Sequence, residues 1–139
     1  MRAVISNLLL FTIILCHVSC GKSGGGGNTE PPEQNLSISI NPDPSGSVAP
    51  ALSGTYAFKL IINSTPPKNG VKIDITATKE SDNSVQFSQT SQTTNNATTN
   101  VDLSLQNLVL GLLYVIKVDV TSLTTPTNKA SLTFKVARK

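Results

Sequence analysis

The chain predicts an all-β fold, an antiparallel two-sheet sandwich of about seven strands. Three observations carry that expectation. Apolar and polar residues alternate at period two through most of the sequence after Asn35; Pro, Gly and Asn cluster between the alternating runs; and no stretch beyond the N-terminal segment repeats apolar residues at helical spacing.

The runs follow in order. Leu36, Ile38 and Ile40 alternate with Ser37 and Ser39, and Asn41-Pro42-Asp43-Pro44 ends the first. Tyr56, Phe58, Leu60 and Ile62 form the second, closed by the turn-rich stretch from Asn63 to Gly70. Val71, Ile73, Ile75 and Ala77 alternate with Lys72, Asp74, Thr76 and Thr78 in the third. Val85 and Phe87 make a short fourth run after the Glu80–Ser84 turn. The polar segment Gln86–Asn100 then reads as a long mobile loop with a frayed edge strand. Val101, Leu103 and Leu105 are the fifth run, Tyr114, Ile116, Val118 and Val120 the sixth, and Leu132, Phe134 and Val136 the seventh.

With 139 residues and a mass of 14.6 kDa the chain has room for one small domain plus appendages. It is 38% hydrophobic and only 14% charged, apolar enough for a core. A sandwich of this size buries roughly 60–70% of its unfolded surface, which suffices without disulfides or metal.

The stretch Leu108-Val109-Leu110-Gly111-Leu112-Leu113-Tyr114 resembles the fibronectin type III pattern Leu-x-Pro-Gly-x-x-Tyr, with Leu108, Gly111 and Tyr114 matching and Leu110 in the place of the proline. The resemblance covers Asn100–Ala137 and implies a fibronectin type III-like or Ig-like sandwich. In it Leu108 plugs the core and the Tyr114 hydroxyl bonds back to the corner backbone. The family's second-strand tryptophan and the immunoglobulin cysteine pair are missing here.

Before the sandwich, Met1-Arg2-Ala3 carries one positive charge, an apolar stretch follows that is densest from Leu8 to Leu15, and Cys16-His17-Val18-Ser19-Cys20 comes next. That order is the charged, apolar and cleavage region of an export signal. A bilayer span needs roughly 20 apolar residues, and Ser6-Asn7 and His17 close this run short of that. Ser19-Cys20-Gly21 resembles the lipobox of bacterial lipoproteins, in the relaxed form found in Bacteroidetes-like members, since His17 stands where Leu, Val or Ile is usual. The resemblance implies cleavage before Cys20 and lipid attachment there. Ordinary cleavage with a free cysteine and a Cys16–Cys20 disulfide are the alternatives; the disulfide would staple nothing in the folded body. The same resemblance associates aspartate after the cysteine with inner-membrane retention, so Gly21 there implies the outer membrane, with periplasm-facing and surface-facing orientations both open. The divisions are then a signal at 1–19, a lipidated cysteine and tether at 20–35, and a sandwich at 36–139.

The tether Gly21-Lys22-Ser23-Gly24-Gly25-Gly26-Gly27-Asn28 has maximal backbone freedom, stiffened afterwards by Pro31-Pro32. Its Gly-Lys-Ser string is no phosphate loop: Cys16 stands where the first glycine of that motif belongs, and no strand precedes it.

The chemistry that remains is sparse. Removal of His17 leaves no imidazole for a general base or a zinc site, and the body has no cysteine. A carboxylate pair, Asp74 and Asp119 on the outward face of neighbouring strands among Lys72, Lys117 and Lys135, is the one hydrolytic option; its plainer reading is a solvated charge ladder. The acidic turns at Asp43 and Glu80-Ser81-Asp82-Asn83 lack the spaced ligand set of a calcium loop, and turn chemistry accounts for both. Tyr56, Phe58, Phe87, Tyr114 and Phe134 fall in the inward register, leaving no aromatic platform for sugars. A polar glycan site in Gln86–Asn100 remains open. Net charge is +3, or +2 once Arg2 leaves (10 basic against 8 acidic residues), with neither a basic stripe nor exposed aromatics for nucleic acid. The sequons at Asn35, Asn63 and Asn96 would matter only in a eukaryotic secreted protein.

These residues point to a lipid-anchored exported protein with a non-catalytic binding or structural role. It needs no cofactor or metal, and its contacts are the membrane and an envelope protein. A small glycan-binding lipoprotein is the alternative, and a carboxylate hydrolase the remote one.

Overall fold

Among the described residues period-two alternation becomes eight strands: β1 (Ile38–Asn41), β2 (Val48–Ala51), β3 (Tyr56–Ile62), β4 (Val71–Lys79), β5 (Val85–Gln92), β6 (Asn100–Leu105), β7 (Leu113–Ser122) and β8 (Lys129–Arg138). The computed structural model describes residues 31–93, 95 and 97–139. Cys16, His17 and Cys20, and with them the expected export signal and the expected lipid site, lie outside the described residues.

The strands form two sheets, a small one in the order β1-β3-β6 and a large one in the order β2-β8-β7-β4-β5. All neighbours are antiparallel except β2 and β8, which run parallel. The chain crosses from the small sheet to the large one between β1 and β2.

Strand β3 shows why the sequence builds a sandwich. Tyr56, Phe58, Leu60 and Ile62 are buried while Ala57, Lys59 and Ile61 are not, the signature of one dry and one wet face. The same alternation in β4 and β7 places Ile73, Ile75, Ile116 and Val118 against it, all fully buried. Phe58 and Phe134 meet edge-on with ring centroids 5.3 Å apart, and Tyr56 stacks on Phe58 at 6.1 Å.

One strand more is present than the sequence suggested. The segment Val-Ala-Pro-Ala of β2 carries only two small inward residues, Ala49 and Ala51, and a proline that suits nothing but an edge. Strand β5 is also longer than the short run around Phe87, because it takes in Ser88–Gln92 from the segment read as a loop; the remaining connection to β6 spans 93–99. Between Ala77 and Thr78 the β4–β5 register shifts by one residue, making Gln86 the extra residue of a bulge. Val85 and Phe87, two apart, therefore lie on opposite faces. Phe87 shares the inner face of Ala77 and packs on the core, while Val85 shares the outer face of Thr78 and is exposed.

Gly70 closes the β3–β4 connection with φ +84°, in the left-handed region that favours glycine. A Cβ there would lie 2.2 Å from the Thr93 carbonyl oxygen. Thr93 cannot move away freely, since its N–H donates to Val71 O and its Oγ1 accepts the Val71 N–H, each at 2.9 Å.

Candidate functional site

Asp74 and Asp119 are direct cross-strand partners in β4 and β7, on the outer face of the large sheet. Each carboxylate has its own lysine two residues back along its strand: Lys72 Nζ lies 2.8 Å from Asp74 Oδ2, and Lys117 Nζ lies 2.8 Å from Asp119 Oδ2. Thr90 Oγ1 donates to Asp74 Oδ1 at 2.6 Å. The hydrogen bond from Lys72 and then that from Thr90 hold the Asp74 carboxyl below its ordinary range. For Asp119, burial pushes the carboxyl up, but Lys117 and the Ser131 hydroxyl outweigh it and the net shift is downward. A general acid at neutral pH needs the opposite shift. The depression bordered by Lys72, Asp74, Lys117, Asp119, Lys129 and Ser131 has a volume of about 500 Å³ and is half open to solvent.

The acidic turns are occupied by their own backbone. Asp43 Oδ1 accepts the Ser45 N–H at 2.8 Å, and Asp82 Oδ1 accepts both the N–H and the hydroxyl of Ser84. Glu80 pairs with Lys135 across the sheet. Among the described residues no group of three or more acidic, His or Cys side chains is placed to hold a metal ion.

The corner before β7 is tightly tied. The Val109 N–H donates to Tyr114 Oη at 2.7 Å, Leu108 and Tyr114 are buried in the core, and Gly111 takes φ +77° with open space around it. Leu108 N–H donates to Gly54 O, joining this corner to the β2–β3 loop. The other tyrosine differs: Tyr56 Oη is buried with no hydrogen-bond partner among the described residues, and burial pushes its pKa up. Tyr56, Phe58, Tyr114 and Phe134 are all buried, and Phe87 is half-buried against the core.

The sheet edges are the features that bear on contacts with other molecules. The segment Gln86–Asn100, expected as a loop with a frayed edge strand, supplies most of β5. On the small sheet, β1 has four residues and runs into Pro42, and β6 carries Asp102. On the large sheet, β2 has four residues with Pro50 at the third position, and it covers β8 only from Lys135 to Arg138. In the uncovered half of β8, Leu132–Phe134 line a half-open groove of about 430 Å³ together with Ile38, Ile40 and the β1–β2 crossing, while Lys129–Ser131 border the depression beside Asp119. Strand β5 is eight residues long, mostly exposed, and among the described residues pairs on one side only. From Asn83 to Val101 the sequence holds no charged residue, no proline and no glycine, so past the bulge at Gln86 neither charge nor proline blunts this edge.

The parity of the β4–β5 ladder tells which β5 groups are open. Thr93 N–H bonds Val71 O, and antiparallel partners alternate between bonded and non-bonded pairs. Odd-numbered residues of the regular stretch therefore bond β4. The N–H and C=O groups of Ser88, Thr90 and Gln92 face outward, unpaired by the sheet.

Pro31–Leu36 lies at the end of the sandwich that carries the β7–β8 loop. Asn128 Oδ1 accepts the Leu36 N–H at 2.8 Å, Asn128 Nδ2 donates to Gln34 O at 2.9 Å, and Ser122 Oγ donates to Glu33 Oε2 at 3.1 Å. The opposite end holds the β2–β3 loop, the β4–β5 turn and the Leu108–Tyr114 corner, with Leu52 and Leu110 strongly exposed.

No protein-family model matches the chain, and no curated protein does. Among solved structures it is similar to one described as "Myokine structure", at 15% identity and a TM-score of 0.40, over 78% of this chain and 100% of that one. A likeness that weak carries no argument about fold or function.

Proposed function

We propose that the protein is an exported, lipid-anchored component of a bacterial outer membrane. In this reading its fibronectin type III-like or Ig-like domain makes non-catalytic protein–protein contacts within an envelope assembly. The β5 edge supports this best: an exposed, uncharged strand with outward backbone donors and acceptors is built to take another strand, which is how extended partners gain affinity. Attachment through Cys20 would hold the domain by the end where Pro31–Leu36 meets Asn128, leaving β5 along the flank and Leu52 and Leu110 at the far end. Two or three acyl chains make such attachment durable, each buried methylene contributing about 0.8 kcal/mol. Tuning both outer carboxylates downward argues against hydrolysis, and burial of the aromatics argues against the glycan reading.

A photo-crosslinking residue at Ser88, compared with one at Lys117 in the same cells, tests the contact. Under this proposal position 88 captures a discrete protein and position 117 does not. Saturable glycan binding together with no capture from position 88 would replace it with the glycan-binding alternative. An N-terminal peptide beginning at Cys20 and carrying acyl chains, found by mass spectrometry of the membrane fraction, tests the anchor.

A further inference from the structure

We infer that the partner strand at β5 is β5 of a second copy of this chain, so that two large sheets join edge to edge across a two-fold axis into one ten-stranded sheet; this deepens the strand-contact reading above and rests on it. An antiparallel pairing of the same edge closes on itself and leaves no further site open for a third copy. Charge selects this edge over the others. The parity fixed by the Ile62 N–H bond to Thr99 O turns Asn100, Asp102 and Ser104 of β6 outward, so a β6 pair centred on that stretch would set Asp102, paired with Lys59 at 2.7 Å, directly opposite its own copy at about 5 Å. Strands β1 and β2 are four residues each; the open half of β8 begins with the charged Lys129, and its Leu132–Phe134 lie beside the β1–β2 crossing. Strand β5 brings no charge of its own. Its nearest charged neighbours, Lys72 and Asp74 on β4, would stand three strand spacings from their counterparts, about 14 Å apart. That exceeds the screening length of about 8 Å at physiological salt, so the two ion pairs would scarcely sense each other.

Geometry also sets the register. The bulge at Gln86 ends the regular ladder on one side and the connection after Gln92 ends it on the other. The outward groups belong to Ser88, Thr90 and Gln92, whose centre is Thr90. A dyad at Thr90 pairs Thr90 with Thr90 of the other copy and each Ser88 with the opposite Gln92, using every open group of that stretch. A pairing this short is small beside the roughly 1,200–2,000 Å² of stable complexes, so it is a concentration-dependent association, strengthened when copies are confined to one surface.

The test uses the full chain in detergent, by sedimentation over a concentration series and by amide exchange at each concentration. The wild type is expected to dimerise reversibly. The amides of Thr90 and Gln92 should gain protection with concentration, while those of Gln89 and Ser91, already bonded to β4, should not change. S88E/Q92E sets two carboxylates against each other at both of the Ser88–Gln92 pairings across the dyad and should weaken dimerisation roughly tenfold. S88K/Q92E differs only in the sign of the charge at position 88, makes both pairings attractive, and should restore dimerisation to within about threefold of wild type. A wild type that stays monomeric, or protection that does not follow this parity, or equal dimerisation by the two variants, overturns the self-pairing. Capture of a different protein from position 88 would then still stand on its own, which separates failure of this inference from failure of the contact reading.

Discussion

Deleting one oxygen from each of the two tyrosines is expected to cost stability at Tyr114 and none at Tyr56. In Tyr114→Phe the Val109 N–H loses an acceptor 2.7 Å away, inside a corner whose tyrosine is fully buried. The lost bond is worth about 1 kcal/mol net, and stranding the donor raises the cost to about 1–3 kcal/mol. Val109 is itself partly exposed, so solvent reaches the corner and the lower half of that range applies, about 1–2 kcal/mol. In Tyr56→Phe the deleted hydroxyl had no partner while buried, so its removal relieves a desolvation cost. That variant should equal the wild type or exceed it by up to about 1 kcal/mol. A domain this size shifts about 4–8 °C in Tm per kcal/mol, so the pair should separate by roughly 10 °C. Urea unfolding followed by far-UV circular dichroism at pH 7 reads the difference, with unchanged m-values as the check that only stability moved. Equal losses in the two variants would refute the assignment of the Tyr114 oxygen as acceptor and the Tyr56 oxygen as orphan.

Gly70→Ala and Gly111→Ala share a positive φ, worth about 1 kcal/mol against alanine, but only the first drives a Cβ into the Thr93 carbonyl; Gly70→Ala should lose at least about 2 kcal/mol more in the same unfolding assay. Asp74 has a folded pKa below its unfolded value, so its contribution is complete above about pH 4 and fades as pH falls through the lowered pKa. The gap in stability between wild type and Asp74→Asn should therefore stay constant from neutral pH to about 4 and close below it, as acid titration of both unfolding curves would show. Cys20→Ala should leave the protein unacylated and shift it out of the membrane fraction, measured by fractionation with mass spectrometry.

The strands that could be read directly are those with a dry face. In β3, β4 and β7 burial writes a strict alternation into the sequence, and the eye needs nothing else. Strand β5 is half-buried at most along its length, so no burial constrains its composition and Ser88–Gln92 carries no pattern. Its existence is decided by β4, whose exposed backbone it completes. Strand β2 was hidden for a related reason: its partner β8 lies some ninety residues away, and four residues with a proline hold too little local signal. The outward placement of Asp74 and Asp119 followed from period two, but the separate lysine clamp on each depended on rotamers that spacing does not specify. The Leu108–Tyr114 corner was legible because it is local, seven residues whose turn, plug and hydroxyl all act within one bend.

The way the chain joins its sandwich has a mechanical meaning. A pull on Pro31, with the opposite end of the domain held, acts along the axis of β1, while the bonds of the β1–β3 ladder lie across that axis. The load is shared by the ladder as a whole, as in a zipper dragged lengthwise instead of opened from its tab. The bonds among Glu33, Gln34, Asn128 and Ser122 take tension first and yield singly. Such a junction gives way in two stages, a soft release of a few residues of slack followed by a stiff stop.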